Sequence, residues 1–425
     1  MTTKQIGRFL FFLAAAGFVL RAIFIFLSND YTNPVAYESG LIADNIVAGK
    51  GFAFQNWTAS KVEPTAWIPP LYPYFLAFFF KVFGPRAFLA IELVQGLAFA
   101  CLVYPTYGLG NHFHNRKVGL TAALLASVYP PFIYYTRVIT YDGLFTLFVA
   151  SSLYGLVSLS VSPDYPKAAA AGCLLALANL TKAILVPFTL LVLPWLGWAL
   201  GGVKRRWKYP LVVGVTCLAA LTPWLVRNAV VFHRLMPLQG SFGYMLWLGN
   251  RPGFPGIFDP TQQYKGTGLH RLTPEEKQLL REMSESQMND YLLHRAVRDI
   301  LADPAAFLKR SLYRVYAFWW ISEQFARGEP LKRESFRNAA SLIGFRKLNL
   351  ALLYLFAALG LVLSLDKKKI HFLFLLLFLT LTALNALTQS SLSRYQLPVE
   401  FPLLIYVAFA LVFLWEKIRP RPLSV

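Results

Sequence analysis

Apolar residues run along this chain in long blocks, not in strict alternation with polar ones. About ten blocks approach the roughly 20 residues that a helix needs to cross a hydrocarbon core. They fall at about 8–28, 86–108, 117–135, 139–161, 167–181, 183–200, 209–226, 347–365, 370–388 and 400–416. The pattern predicts an all-α polytopic membrane protein, a transmembrane helical bundle of about 10 spans (about 12 at the upper limit) with two large extracytoplasmic loops. Three regions follow: an N-terminal transmembrane module 1–226 with its first outer loop 29–85, an extracytoplasmic region 227–346, and C-terminal spans 347–425.

Two outer stretches also carry helical signals. Residues 69–84 are apolar but only 16 long, and they open on Pro69-Pro70, which suits a helix entry. They read as an interfacial or re-entrant helix. Thr273-Pro274-Glu275-Glu276 is a helix-start signature, so 273–300 reads as one helix or two. Residues 305–320 set Lys309, Arg310 and Arg314 among aromatics and read as an amphipathic helix in the interface plane.

The positive charges orient the spans. Lys4 and Arg8, Arg116 and Lys117, Lys167, the 204–208 group, Lys367 to Lys369, and Lys417, Arg419 and Arg421 all land on one side. Short cytoplasmic loops collect Lys and Arg. The reading is a multi-pass membrane protein with both termini cytoplasmic and the first span retained. Composition agrees. Apolar residues are 56% of the chain and charged residues 15%, against about 45–50% and 25% in soluble domains. An ordinary soluble enzyme, a disordered chain and a disulfide-stapled domain are thereby excluded. The net charge of +20 points to membrane lipids as partners. No basic soluble module is visible, so no nucleic-acid partner is expected. Cys101, Cys173 and Cys217 sit in apolar runs without metal-ligand spacing and read as core packing.

Ionisable groups beside membrane spans are costly and need a reason. The topology puts five on the outer side: Glu38 in the first loop, Asp142 at a span entrance, Lys182 in a turn, Arg227 (then Asn228) at a span end, and Arg394 before the last span. The cations suit an anionic phosphate headgroup, and a carboxylate suits a general base for a hydroxyl or amine acceptor. Each has a plainer reading too. Lys and Arg at helix ends snorkel to headgroups, Asp142 can cap its helix, and Glu38 can be a solvated loop acid.

These positions also carry a resemblance. Tyr37-Glu38-Ser39-Gly40-Leu41-Ile42-Ala43-Asp44-Asn45-Ile46 with Gly49-Lys50-Gly51-Phe52, then Pro64-Thr65-Ala66-Trp67-Ile68-Pro69-Pro70-Leu71-Tyr72-Pro73, resemble the first outer loop of bacterial GT-C glycosyltransferases. These membrane enzymes are related to the protein mannosyltransferases and to the lipid A aminoarabinose transferase. Pro223-Trp224-Leu225-Val226-Arg227-Asn228, Trp247-Leu248-Gly249-Asn250 and Arg394-Tyr395-Gln396-Leu397-Pro398 resemble later elements of the group, in order. The resemblance implies an inverting transfer of a sugar from a polyprenyl-phosphate-linked donor to a lipid, polysaccharide or protein acceptor outside the cytoplasm. It implies an acidic base in the first outer loop, best matched by Glu38, with Asp30 as the alternative. Asp142 would orient the acceptor or hold a metal. Lys182, Arg227 and Arg394 would face the donor phosphate, and Trp67, Tyr72, Asn228, Trp247 and Tyr395 would line the pocket. No cofactor is required by the sequence; a divalent metal is possible, since relatives differ in using one.

The remaining features read blandly. His112 and His114 lie in a short cytoplasmic loop, and two ligands do not complete a zinc site. Asn56-Trp57-Thr58 is a formal sequon. A transporter or flippase of lipid-linked sugars is the rival reading. Transporters place polar groups at the midplane within repeats, whereas these charges lie at one surface and no repeat is visible. A non-catalytic scaffold is the third reading and would tolerate loss of Glu38 and Asp142.

Overall fold

A computed structural model describes residues 2–32, 34–55, 61–252, 254, 272–320, 336–388 and 393–418. It is helical throughout, apart from a two-stranded antiparallel ribbon, β1 (Ala53–Phe54) with β2 (Glu63–Pro64). The N-terminal half comprises α1 (Thr3–Ser28), α2 (Tyr37–Val47), α3 (Leu71–Phe83), α4 (Ala87–Cys101), α5 (Val103–Phe113), α6 (Arg116–Val128), α7 (Pro130–Tyr134), α8 (Asp142–Val161), α9 (Tyr165–Thr181), α10 (Val186–Ala199) and α11 (Lys208–Phe232). After these come α12 (Phe242–Asn250), α13 (Pro274–Glu282), α14 (Glu285–Ala302), α15 (Pro304–Trp320), α16 (Phe336–Leu363), α17 (Lys368–Leu387) and α18 (Leu397–Ile418).

Among the described residues, 7 helices are long and apolar enough to cross a membrane, or up to 8 if the bent pair Arg116–Val128 and Pro130–Arg137 is one span. These cover eight of the ten spans read from the sequence. The other two fall on α9, of 17 residues, and α10, of 14. The segment at 69–84 forms α3, which joins α4 and α5 in one apolar run, Leu71–Phe113, of 43 residues. At 1.5 Å per residue such a run is about twice as long as a hydrocarbon core is thick. The region at 273–300 forms two helices, each opened by a capping box, on Thr273 and on Ser284. Residues 305–320 form α15.

Small residues let the helices meet closely. A Cβ on Gly110 would lie 2.8 Å from the Cα of Gly119, and one on Gly360 would lie 2.0 Å from the carbonyl oxygen of Tyr406. These contacts bring α5 onto α6 and α16 onto α18. Helix α6 ends at Tyr129-Pro130-Pro131, where the chain bends by 45°. Proline at the bend cannot donate, so nearby carbonyls lose their helical partners. Arg21, fully buried in α1, supplies donors there: its guanidinium donates to the carbonyls of Ser127 (2.9 Å), Ala126 (3.4 Å) and Phe132 (3.4 Å), and also to that of Gly17 (2.8 Å) in its own helix.

The bundle has two unlike ends. At one, Lys117 pairs with Glu416 at 2.6 Å, and Lys369 donates to the carbonyl of Ala199 at 2.6 Å. Two of the basic loops, at Lys117 and at Lys369, thus lie at one end. The other end carries α2, the start of α8, the end of α9, the end of α11 and the turn before α18.

Candidate active site

Asp142 opens α8 and is 2% exposed. Its Oδ2 lies 3.4 Å from Nε of Arg394, in the 3-10 turn Ser393–Gln396 that leads into α18. Thr140 donates to the same carboxylate. Lys182 ends α9, where the chain leaves the helix in an extended conformation. Its Nζ sits 3.4 Å from the ring centre of Tyr395, 4.9 Å from Tyr141 and 6.0 Å from Phe145. The Tyr141 and Tyr395 side chains are hydrogen-bonded to each other. Lys182 is therefore held by ring faces, with Asp142 and Arg394 close enough to act on its charge. Burial, the largest influence, lowers its pKa from 10.5, and Arg394 lowers it further; Tyr395 and Asp142 raise it. Three distant stretches of chain thus bring two cations and one acid together.

Glu38 sits in the first turn of α2 and is partly exposed. Its neighbour Tyr37 has φ +48°, a left-handed conformation that costs a residue with a side chain energy and that clusters at functional sites. The Arg394 guanidinium lies 5.6 Å from the ring of Tyr37, the residue before Glu38. Glu38 acts on Tyr244, whose pKa is raised by burial first and by Glu38 second. Asp30, the alternative base, is bound to Arg137, which stacks 4.4 Å over Tyr134.

Arg227 is placed differently. Its Nη1 donates to the Thr65 carbonyl at 2.7 Å and to Asn228 Oδ1 at 3.0 Å, and its Nη2 donates to the Phe52 carbonyl at 2.9 Å. The guanidinium stacks 4.8 Å over Trp224. It straps the first loop to α11. Asn228 is buried and donates to the Pro237 carbonyl at 3.0 Å. Trp67 is buried beside Tyr244, centroids 5.0 Å apart, and Trp247 is buried 6.2 Å from Tyr244. Tyr72 is buried, donates to Gln95 Oε1 at 2.7 Å, and meets Tyr141 edge to face. Gln95 in turn donates to the carbonyls of Thr136 and Val138, which fixes the approach to Asp142.

Sequence reasoning missed Glu285. It opens α14 and accepts from the Thr65 hydroxyl and from the Ala66 amide at 2.8 Å. Burial raises its pKa, opposed by those hydrogen bonds and by Arg227. Its position at a helix start reads as a solvated first-turn acid, and only the fold reveals its partner. Tyr141 was likewise hidden, one aromatic among many. Among the described residues no group of three or more His, Cys, Asp or Glu side chains is spaced to hold a metal ion. Asp142 faces the cation Arg394.

Residues 68–226, less than half of the chain, match the family profile of dolichyl-phosphate-mannose-protein mannosyltransferases. A comparison with curated protein sequences finds no match. Among solved structures, the oligosaccharyltransferase of Archaeoglobus fulgidus, tethered to an acceptor peptide containing the NVT sequon, is similar with a TM-score of 0.54 and 13% identity, over 95% of this chain and 50% of that one. The oligosaccharyltransferase AglB of Archaeoglobus fulgidus, in complex with an inhibitory peptide and a dolichol-phosphate, gives 0.50 and 15% over the same shares. ArnT of Cupriavidus metallidurans bound to undecaprenyl phosphate gives 0.44 and 13%, over 96% of this chain and 79% of that one. The chain spans about half the length of the oligosaccharyltransferases it resembles. The fold is the GT-C fold of membrane glycosyltransferases.

Proposed function

We propose that the protein is an inverting glycosyltransferase that moves a sugar from a polyprenyl-phosphate-linked donor to an acceptor on the extracytoplasmic side of the bacterial inner membrane. The observation that carries this reading is the meeting of Asp142, Arg394 and Lys182 at the end of the bundle opposite the basic loops. The oligosaccharyltransferase of the same fold binds a dolichol-phosphate together with an inhibitory peptide, and in another structure is tethered to an acceptor peptide, which supports a lipid-phosphate donor here.

In this reading Glu38 takes the proton of the acceptor hydroxyl or amine as its oxygen or nitrogen attacks the anomeric carbon. The bond between that carbon and the donor phosphate oxygen breaks, and both electrons leave with the phosphate. Arg394 and Lys182 stabilise the charge that grows there. The polyprenyl phosphate is a weak base, so proton donation to it contributes little. Asp142 orients Arg394 toward the phosphate. Arg227 acts through the loop it straps, since its terminal nitrogens are bound to carbonyls. The acceptor is a lipid, polysaccharide or protein, and the Trp67–Tyr244–Trp247 cluster borders its side of the pocket.

Mass spectrometry of envelope glycolipids and glycoproteins with and without the gene tests the reading. A discrete sugar mass on one acceptor class, present only with the gene, is expected. Movement of lipid-linked sugar across the membrane without a new glycosidic bond would replace it with the flippase reading.

A further inference from the structure

Beneath the turn that carries Arg394 and Tyr395 lies a second buried ionic group that the reaction above does not use. Arg346 of α16 is 1% exposed and Glu400 of α18 is fully buried. They form an ion pair, and Arg346 Nη1 also donates to Glu400 Oε2 at 3.2 Å. Arg346 Nη2 donates to Gln396 Oε1 at 2.8 Å. The Tyr129 hydroxyl, from the junction of α6 and α7, donates to Glu400 Oε2 at 2.8 Å. Gln396 donates its amide to the carbonyl of Phe318 near the end of α15. The group thus joins α15, α16, α18 and the α6–α7 junction, all at the turn Ser393–Gln396.

A buried ion pair is a poor source of stability. Taking both charges out of water costs about as much as their attraction returns, and apolar replacements of similar size often match it. In an apolar span the cost is higher still. What such a group supplies is direction, because each partner accepts few geometries. Here the geometry fixed is that of Gln396, two residues after Arg394 and one after Tyr395. Arg394 meets Asp142 at 3.4 Å and Tyr395 lies 3.4 Å under Lys182. A shift of one ångström in the turn changes both contacts.

We infer that Glu400, acting through Arg346 and Gln396, is a positioning residue that holds Arg394 and Tyr395 in register with Asp142 and Lys182 for the donor phosphate. The inference rests on the donor site proposed above. It assigns Glu400 no contact with substrate.

Binding of undecaprenyl phosphate to the full-length protein in nanodiscs, read by native mass spectrometry alongside melting temperature, tests it. Arg394→Gln and Glu400→Gln should each weaken binding about tenfold. Combined, they should weaken it by clearly less than the product of the two losses, because Glu400 acts in part through Arg394. Glu400→Gln strands a buried arginine and risks misfolding, so Arg346→Met/Glu400→Gln removes both charges together. That variant should melt near the wild type and still bind about tenfold more weakly. Wild-type binding by the pair variant, or multiplied losses in Arg394→Gln/Glu400→Gln, would overturn the positioning role and leave the donor site standing. Wild-type binding by Arg394→Gln would instead overturn the donor site.

Discussion

Arg394 and Asp142 approach to 3.4 Å, yet neither the Nε of one nor the Oδ2 of the other makes a hydrogen bond among the described residues. The pair attracts without saturating either group. In the proposed reaction, an anion entering between Arg394 and Lys182 would meet a guanidinium whose Nε is still able to donate.

Two substitutions follow from that contact. Asp142→Asn keeps the shape of the side chain and removes its charge, and Arg394→Lys keeps the charge and removes the planar fork. Each should lower transfer kcat/KM by about 100-fold, the cost of misplacing a positioned group by an ångström. Steady-state transfer by purified variants checks this, and full rates in both would remove the pair from the reaction.

Lys182 gives the reaction an alkaline limit. Burial lowers its pKa from 10.5, so its charge, and with it donor binding, is lost as pH rises through that lowered value. Folding responds with the opposite sign. Between the lowered value and 10.5 the unfolded chain holds more protons at this residue, so its contribution to stability rises with pH. Lys182→Arg should move the alkaline limb of donor binding upward, because arginine stays charged. An unmoved limb assigns the titration to another group.

Arg227 and Glu285 strap the first outer loop from opposite sides, one on the Thr65 carbonyl and one on the Thr65 hydroxyl. Arg227→Ala or Glu285→Gln should cost about 1–3 kcal/mol of stability, the range for leaving buried polar groups unpartnered. Limited proteolysis within the first loop should accelerate in both. If Arg227→Ala melts like the wild type yet loses undecaprenyl phosphate binding, Arg227 serves the phosphate directly and the strap is secondary.

Arg21 tests the fold itself. Arg21→Met leaves carbonyls at the α6 bend without donors inside an apolar bundle, at about 1–3 kcal/mol for each unpartnered group. Thermal unfolding should fall sharply, while the residual folded fraction keeps its transfer rate per molecule. An unchanged melting temperature would mean that the bend satisfies its carbonyls by other means.

Much of this molecule is legible in its sequence. The apolar blocks foretell the spans because each must bury its backbone within itself, and Thr273 announces α13 because capping is local. Asp142, Lys182 and Arg394 stand out because charge beside a span is rare. The uses of Arg227 and Glu285 do not show. Their partners are carbonyls, an amide and a hydroxyl in a loop far away in sequence, and any residue supplies a carbonyl. Lys182 shows its charge but not its aromatic seat, since Tyr141 and Tyr395 look like the interface aromatics around them. The break at Lys182 is legible as well, between apolar blocks that form α9 and α10, although at 17 and 14 residues these helices are shorter than a full crossing.

The central claim is that Glu38 activates an acceptor against a polyprenyl-phosphate-linked sugar held by Arg394 and Lys182. The most direct measurement compares purified wild type and Glu38→Gln in liposomes carrying that donor and an envelope extract as acceptor, reading formation of the glycosylated product by mass spectrometry. The wild type should form it, and Glu38→Gln should slow it by about 100-fold or more while melting like the wild type. Equal rates from the two proteins would contradict the account.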